Sequence, residues 1–164
     1  TLPKGYAFVA NIPYYLTGEI FRMFLESENQ PSAMTLLVQK EVAERIARSK
    51  KESILSLSVK VYGTPKREFV VPRGAFVPAP KVDSAVLTIR DISRKNFSTR
   101  AEEQRFFAFI RAGFAHKRKF VQKNLKEAGL FSGDTLSSSM ECSIPDKSRA
   151  EDLPLSVWLD LCRA

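Results

Sequence analysis

The chain has 164 residues, of which 44% are hydrophobic, and its formal net charge is +8. This composition supports a packed core and argues against a largely disordered chain. The positive charge favours polyanionic partners, and no apolar run reaches the ~18 residues that a membrane span needs.

The first half of the chain alternates predicted strands and helices. Residues 6–10 and 33–38 are short apolar runs, as in buried parallel strands. Thr17 is predicted to cap a helix after the first run, and residues 41–48 have helical composition. This order implies a parallel sheet with helical crossovers. The residues predicted to face inward are Ile20, Phe21, Phe24, Leu25, Val42, Ile46 and Ala47.

The next segments predict further strands. Residues 54–61 alternate apolar and polar side chains as a strand does, and a helix stays open as the alternative. Residues 67–71 and 84–89 are β-rich and are separated by a loop with proline and glycine at 72–80. Because no helical segment lies between these two runs, we predict an antiparallel pair at a sheet edge.

A polar, charged stretch at residues 91–98 predicts a domain boundary, which gives domains 1–92 and 98–164. The second domain has a helical pattern. Thr99 and Glu102 have the spacing of a capping box before the first helix. The second helix is predicted at about residues 119–128, and a last helix carries Leu155, Trp158, Leu159 and Cys162.

Seven basic residues and no acidic residue occur between positions 105 and 126. A solvated helix face is one interpretation, and a surface that contacts phosphates is the other. The seven are Arg105, Arg111, Lys117, Arg118, Lys119, Lys123 and Lys126.

The tetrapeptide at residues 11–14, Asn-Ile-Pro-Tyr, directly follows the first predicted strand. Amino-group methyltransferases hold a planar NH₂ group at such a motif. The Asn11 side-chain oxygen and the backbone carbonyl beside Pro13 can accept the two N–H bonds of an adenine amine. This favours a pyramidal nitrogen with its lone pair aimed at a methyl donor. A plain turn after a strand, with Tyr14 as packing, is the alternative.

A second motif favours the catalytic interpretation. Phe76 lies in a proline-rich loop before the last strand, where the prolines stiffen the backbone. Removing a base from its stack costs a few kcal/mol, and stacking it on one aromatic ring returns ~1–3 kcal/mol. A sandwich between Tyr14 and Phe76 could offset the cost. A core position is the alternative for Phe76.

In order, these motifs resemble the KsgA-type family of small-subunit rRNA adenine N6,N6-dimethyltransferases. The resemblance rests on residues 11–14, 39–45, 57–59, 74–86, 114–119 and 149–153. It implies an α/β fold with a partial Rossmann-like methyltransferase sheet and an antiparallel edge pair, followed by a small all-α domain. It also favours the helix over residues 54–61.

The resemblance implies a role for each motif. Asn11 would contact both S-adenosylmethionine and the target amine, Pro13 would offer its carbonyl, and Tyr14 and Phe76 would flank the adenine. Residues 117–119 would help to bind small-subunit rRNA or a pre-30S particle. Lys117 replaces the usual arginine, which removes bidentate phosphate contact. None of the seven glycines forms the Gly-x-Gly turn of a cofactor loop, so we expect a C-terminal fragment that is inactive alone.

Two alternative functions stay open at this stage. The sister family that methylates large-subunit rRNA and gives macrolide resistance shares the two catalytic motifs. A ribosome-docking module without catalysis is the other. Cys142 and Cys162 lie far apart without neighbouring metal ligands, so we predict reduced thiols, no metal and a cytoplasmic protein without a signal peptide.

Overall fold

The computed structural model describes residues 2–130, 144–145 and 147–163. The chain divides into two compact units. The first comprises Thr1–Ser49 and Leu55–Arg94, and the second comprises Lys50–Ile54 and Lys95–Ala164. The predicted domain bounds, 1–92 and 98–164, stay a prediction.

The first unit contains a four-stranded sheet with the order β1-β2-β4-β3. β1 and β2 are parallel, whereas β4 is antiparallel to both β2 and β3. The predicted antiparallel pair is therefore present, with β3 at the edge and β4 inside the sheet. The strands are β1 (Ala7–Asn11), β2 (Ala33–Gln39), β3 (Thr64–Val71) and β4 (Ser84–Arg90).

Three α-helices accompany this sheet: α1 (Thr17–Leu25), α2 (Lys40–Ala47) and α3 (Ile54–Lys60). The segment with two interpretations is thus a helix. Its alternating pattern is misleading because Ser56 is as completely buried as Leu57 and Val59. Apolar Ile54, at the start of the same helix, is by contrast exposed, so the alternation of apolar and polar residues does not follow the buried face.

The core of the first unit lies between the sheet and its helices. Alternate side chains of β2, namely Met34, Leu36 and Val38, are fully buried, as strand geometry requires. On α2 the buried residues are Ala43 and Ile46. Of the residues predicted to face inward, Phe21, Leu25 and Ile46 are buried, whereas Ile20, Phe24, Val42 and Ala47 are only partly covered.

Thr17 does not cap α1. Leu16 is the N-cap residue, and its side chain makes no capping hydrogen bond. The Thr17 hydroxyl instead donates to the Tyr14 carbonyl, 2.8 Å away, because a short 3₁₀ turn over Tyr14–Leu16 runs directly into the helix.

In its described part, the second unit contains helices α4 (Arg100–Gly113), α5 (Val121–Glu127) and α6 (Leu155–Arg163). The Glu102 N–H donates to the Thr99 hydroxyl at 3.1 Å, as the capping spacing predicts. The Glu102 carboxylate accepts from the Ser98 N–H rather than from that of Thr99. Its core includes the fully buried residues Phe106, Ile110, Val121, Leu125 and Trp158.

The short segment Lys50–Ile54 belongs to the second unit although it lies between α2 and α3 in sequence. The Glu52 N–H donates to the Glu151 carbonyl at 2.7 Å, and Lys51 forms an ion pair with the Glu151 carboxylate. Within the described ranges, no helix is both long enough and apolar enough to cross a bilayer.

Candidate active site

The strand register brings three sequence motifs to one edge of the sheet. Asn11, the last residue of β1, pairs with Leu37 of β2. Gln39, the last residue of β2, pairs with Ser84, and Ser84 pairs with Val71 at the end of β3. β4 runs in the opposite direction and therefore begins where the other strands end. This is the edge at which open α/β sheets bind ligands.

Asn11 is exposed at this edge. Among the described residues, none forms a hydrogen bond with its side-chain amide. The Pro13 carbonyl accepts the Leu16 N–H at 3.0 Å, which closes the 3₁₀ turn after the strand. A carbonyl oxygen has two lone pairs, so this bond leaves one acceptor position on Pro13.

Tyr14 is half-buried, and its position is defined at both ends. Its backbone lies in the 3₁₀ turn, where its carbonyl accepts the Thr17 hydroxyl. Its own hydroxyl lies 2.6 Å from the hydroxyl of Ser84, which is fully buried at the start of β4. A hydrogen bond therefore joins the tetrapeptide motif to the motif that precedes β4, 70 residues later in the chain.

The loop between β3 and β4 carries Phe76, which is partly exposed. The loop begins with a 3₁₀ turn over Arg73–Ala75, and the Val77–Pro78 peptide bond is cis. Asp83 closes the loop, because one of its carboxylate oxygens accepts the Arg73 N–H at 3.0 Å. The Asp83 carbonyl accepts the Lys40 N–H at the start of α2, also at 3.0 Å. The loop and Tyr14 thus share one edge, and a base held between Tyr14 and Phe76 stays a prediction.

The predicted basic surface belongs to the second unit. Arg105, Arg111, Lys117, Arg118 and Lys123 are exposed, and none of them pairs with an acidic side chain among the described residues. Lys126 is exposed in the same way.

Lys119 differs from the other six basic residues. Its ammonium group lies 2.9 Å from both carboxylate oxygens of Glu127. This hydrogen bond and the charge of Lys119 lower the pKa of Glu127 below its usual value. The assignment of Lys119 to RNA binding stays a prediction, but its charge is already compensated.

The whole chain also matches a known family. Residues 3–164 match the family described as ribosomal RNA adenine dimethylase. The chain belongs to the ribosomal RNA adenine dimethylase family.

Curated relatives in this family are named ribosomal RNA small subunit methyltransferase A. The protein of that name from Dehalococcoides mccartyi strain 195 is 39% identical over 159 residues, which cover 96% of this chain and 54% of the relative. The one from Fusobacterium nucleatum is 36% identical over 163 residues, covering 98% of this chain and 61% of the relative. The chain thus spans a little more than half the length of these relatives.

Two solved structures share the fold. The 23S rRNA methyltransferase ErmE is 22% identical, with a TM-score of 0.77 over 99% of this chain and 66% of that protein. A dimethyladenosine transferase from Plasmodium falciparum is 23% identical, with a TM-score of 0.75 over 98% of this chain and 66% of that protein. The family membership and the α/β fold expected from the motifs are confirmed.

Sequence reasoning missed several residues that shape these two sites. Ser84 and Asp83 had been noted only as part of a motif, and the local pattern does not show that they contact Tyr14 and Arg73. Glu127 lies one residue beyond the basic run and was not considered as a partner for Lys119. A count of charges one helical turn beyond each end of the run would have found it.

Proposed function

We propose that this chain is the part of an S-adenosylmethionine-dependent rRNA adenine N6,N6-dimethyltransferase that holds the target adenine and contacts RNA. The proposed substrate is a pair of adjacent adenosines in small-subunit rRNA, within a pre-30S particle in the cytoplasm. The observation that carries the proposal is the exposed Asn11 amide at the strand edge where Tyr14 is hydrogen-bonded to Ser84.

The chemistry follows from the acceptors at this edge. An adenine N6 amine is a poor nucleophile because its lone pair is delocalised into the ring. The Asn11 side-chain oxygen and the Pro13 carbonyl would accept its two N–H bonds, which orients the nitrogen and stabilises developing charge. Bound S-adenosylmethionine would supply the methyl group from its sulfonium. Tyr14 and Phe76 would hold the flipped base by stacking, at ~1–3 kcal/mol for each ring.

The fit to the cofactor is partial in this chain. Asn11 is the residue that we assign to contact it, and its exposed side chain supports that role. No Gly-x-Gly turn occurs in the sequence. Calorimetry with S-adenosylmethionine tests the docking-only alternative, because tight binding by the 164-residue chain would argue against it. A chain without the cofactor turn is expected to bind the cofactor weakly or not at all.

We further propose that residues 1–92 form the methyltransferase part and residues 98–164 an RNA-binding domain. The division of the chain near Arg94 and the run of exposed cations in the second unit support this assignment. The basic residues would contact phosphates, which supply most of the non-specific affinity for RNA.

One experiment separates the proposal from its main alternative. The full-length protein is incubated with labelled S-adenosylmethionine and either isolated small or isolated large ribosomal subunits. Label in the small subunit alone is expected. Label in the large subunit alone would assign the protein to the macrolide-resistance activity instead.

A second experiment tests Asn11 directly. Asn11→Ala in the full-length protein should lower methyl transfer by about a hundredfold or more, which is typical for loss of one group that stabilises the transition state. RNA affinity should change less than about twofold, because phosphate contacts dominate it. Equal losses of transfer and affinity would contradict the role given to Asn11.

A further inference from the structure

Ser84 is a polar residue with no exposure to solvent. Its backbone is paired on both sides, with Gln39 of β2 and Val71 of β3, so it lies inside the sheet. Among the side chains that the structure describes, its hydroxyl is hydrogen-bonded to that of Tyr14 alone, at 2.6 Å. A buried polar group in a strand is costly unless it is hydrogen-bonded, so this contact accounts for a serine at this position.

This hydrogen bond restricts the Tyr14 ring. The ring is attached to a backbone that is already fixed by the Leu16 N–H bond to the Pro13 carbonyl and by the Thr17 hydroxyl. A second attachment at the phenol oxygen restricts rotation of the side chain. Tyr14 therefore loses little conformational entropy when it stacks on a ligand.

Asp83, the residue before Ser84, holds the loop that carries Phe76. Asp83 joins the start of the Phe76 loop to its end through the Arg73 N–H, and joins that end to α2 through the Lys40 N–H. Asp83, the last residue of the loop, and Ser84, the first residue of β4, thus fix the loop that carries Phe76 and the turn that carries Tyr14.

We propose that Ser84 is a positioning residue for base methylation: its hydroxyl holds Tyr14 in the orientation that stacks on the flipped adenine. The inference rests on the proposed function, because it takes Tyr14 to be one wall of the base site. Ser84 itself does not contact the substrate.

The test is a double-mutant cycle in the full-length protein with Ser84→Ala, Tyr14→Phe and both changes together. Each single change removes the same hydrogen bond from one end, so each should lower kcat roughly threefold to tenfold, the equivalent of one hydrogen bond of typical net strength. The double variant should lose no more than either single variant. KM for RNA should stay within about twofold, since phosphate contacts set the affinity.

Thr88→Val is the matched control. Thr88 is another buried hydroxyl of β4, 3.5 Å from the hydroxyl of Thr35 across the same pair of strands, but four residues away from the site edge. Thr88→Val should leave kcat unchanged.

Ser84→Cys is a second variant that weakens the hydrogen bond to Tyr14, because cysteine keeps a similar volume and is only a weak hydrogen-bonding partner. If Ser84→Ala does not fold, Ser84→Cys and Tyr14→Phe complete the test.

A spectroscopic measurement separates this inference from the proposed function. The 164-residue chain is labelled with 3-fluorotyrosine, and the Tyr14 fluorine signal is identified by its loss in Tyr14→Phe. Ser84→Ala should shift and narrow that signal, as a freed ring would, and Thr88→Val should not.

The outcomes are distinct. If the wild-type protein methylates no RNA but the fluorine signal responds, the proposed function fails and Ser84 still positions Tyr14. If the wild-type protein is active and Ser84→Ala leaves both kcat and the fluorine signal unchanged, the inference is wrong. The inference would also be wrong if the decreases in kcat of the two single variants multiplied in the double variant, or if Thr88→Val lowered kcat as much as Ser84→Ala does.

Discussion

The side-chain amide of Asn124 donates a hydrogen bond to the carbonyl oxygen of Gly113, 2.6 Å away. The same amide donates to the His116 carbonyl at 3.1 Å. Asn124 is buried on α5, so it fixes the end of α4 and the turn that follows it. That turn carries Lys117 and Arg118, which makes Asn124 an internal support for the basic surface.

Replacing Asn124 by alanine should destabilise the second unit. The buried carbonyl group of Gly113 and the more exposed carbonyl group of His116 would both lose this donor, and the first loss should cost about 1–3 kcal/mol in the free energy of unfolding. Urea unfolding followed by circular dichroism measures this change. Lys126→Ala, an exposed residue of the same helix, is the control and should change the free energy by less than about 0.5 kcal/mol. Equal stability of the two variants would contradict the role of Asn124.

Glu127→Gln should strengthen the salt dependence of RNA binding. Six exposed basic residues that each met a phosphate of single-stranded RNA would give a log–log slope of about −4, at roughly −0.7 for each contact. Without Glu127, Lys119 becomes available as a seventh contact, and the slope should approach −5. Affinity measured by fluorescence anisotropy over a range of salt concentrations tests this expectation.

Glu41→Gln is the control for that measurement, because Glu41 is an exposed glutamate paired with Arg45 in the first unit. It should leave the slope unchanged. A flat salt response in the wild-type chain would remove the basic surface from the interpretation. An unchanged slope in Glu127→Gln would show that the ion pair with Glu127 does not limit contact between Lys119 and RNA.

The stability of the second unit should depend on the ionisation of Glu102. Hydrogen bonds from Arg163 (2.8 Å) and from the Ser98 N–H (2.7 Å) lower the pKa of this carboxyl group. A lowered folded-state pKa means that the stabilisation is complete above the usual pKa of about 4.5 and is lost as pH falls through the folded value.

Glu102→Gln should therefore be less stable than wild type at pH 7, and the difference should shrink as the pH falls below about 4.5. Urea unfolding at several pH values measures it. In a background of Arg163→Gln the effect of Glu102→Gln should be smaller, because the two residues share one interaction. A difference that is independent of pH would contradict the assignment.

Cys162 should be unreactive in the native protein. Its side chain is fully buried and donates to the Leu159 carbonyl at 3.1 Å, and burial, reinforced by the charge of Glu102, raises the pKa of the thiol to about 11. At pH 8 only about one thiol in a thousand would be ionised. In a Cys142→Ser variant, a thiol reagent should therefore react at the rate of unfolding; rapid labelling of the native variant would contradict the buried assignment.

The sequence predicted those elements whose periodicity reflects one buried face. The strands that became β2 and β4 were predicted to within one residue, and Thr99 correctly marked the start of the helix that became α4. Periodicity misled the prediction where the buried residues of an element do not coincide with its apolar residues. Ser56 of α3 is fully buried although it is polar, and on α2 the small Ala43 is fully buried whereas the larger Val42 is only partly covered. Thr17 was assigned to a cap because the preceding 3₁₀ turn has no local sequence signal.

The site was predictable as a set of motifs but not as a set of contacts. Asn11 and Tyr14 follow a strand, which identifies the edge at which they lie. The bond from Tyr14 to Ser84 depends on β4 running against β2, a relationship between segments about 70 residues apart. Local patterns do not specify such pairings, so the residue that positions the aromatic ring emerged only from the strand register.

Because Lys50–Ile54 belongs to the second unit, the two units cannot be separated by a single cut in the chain. A fragment that begins after Arg94 would lack Lys50–Ile54, which belong to the same unit. In such a piece, the carbonyl and the carboxylate of Glu151 would lose the partners that Glu52 and Lys51 provide. Excising the helical part for RNA-binding work therefore requires supplying residues 50–54, either as a fused extension or as an added peptide.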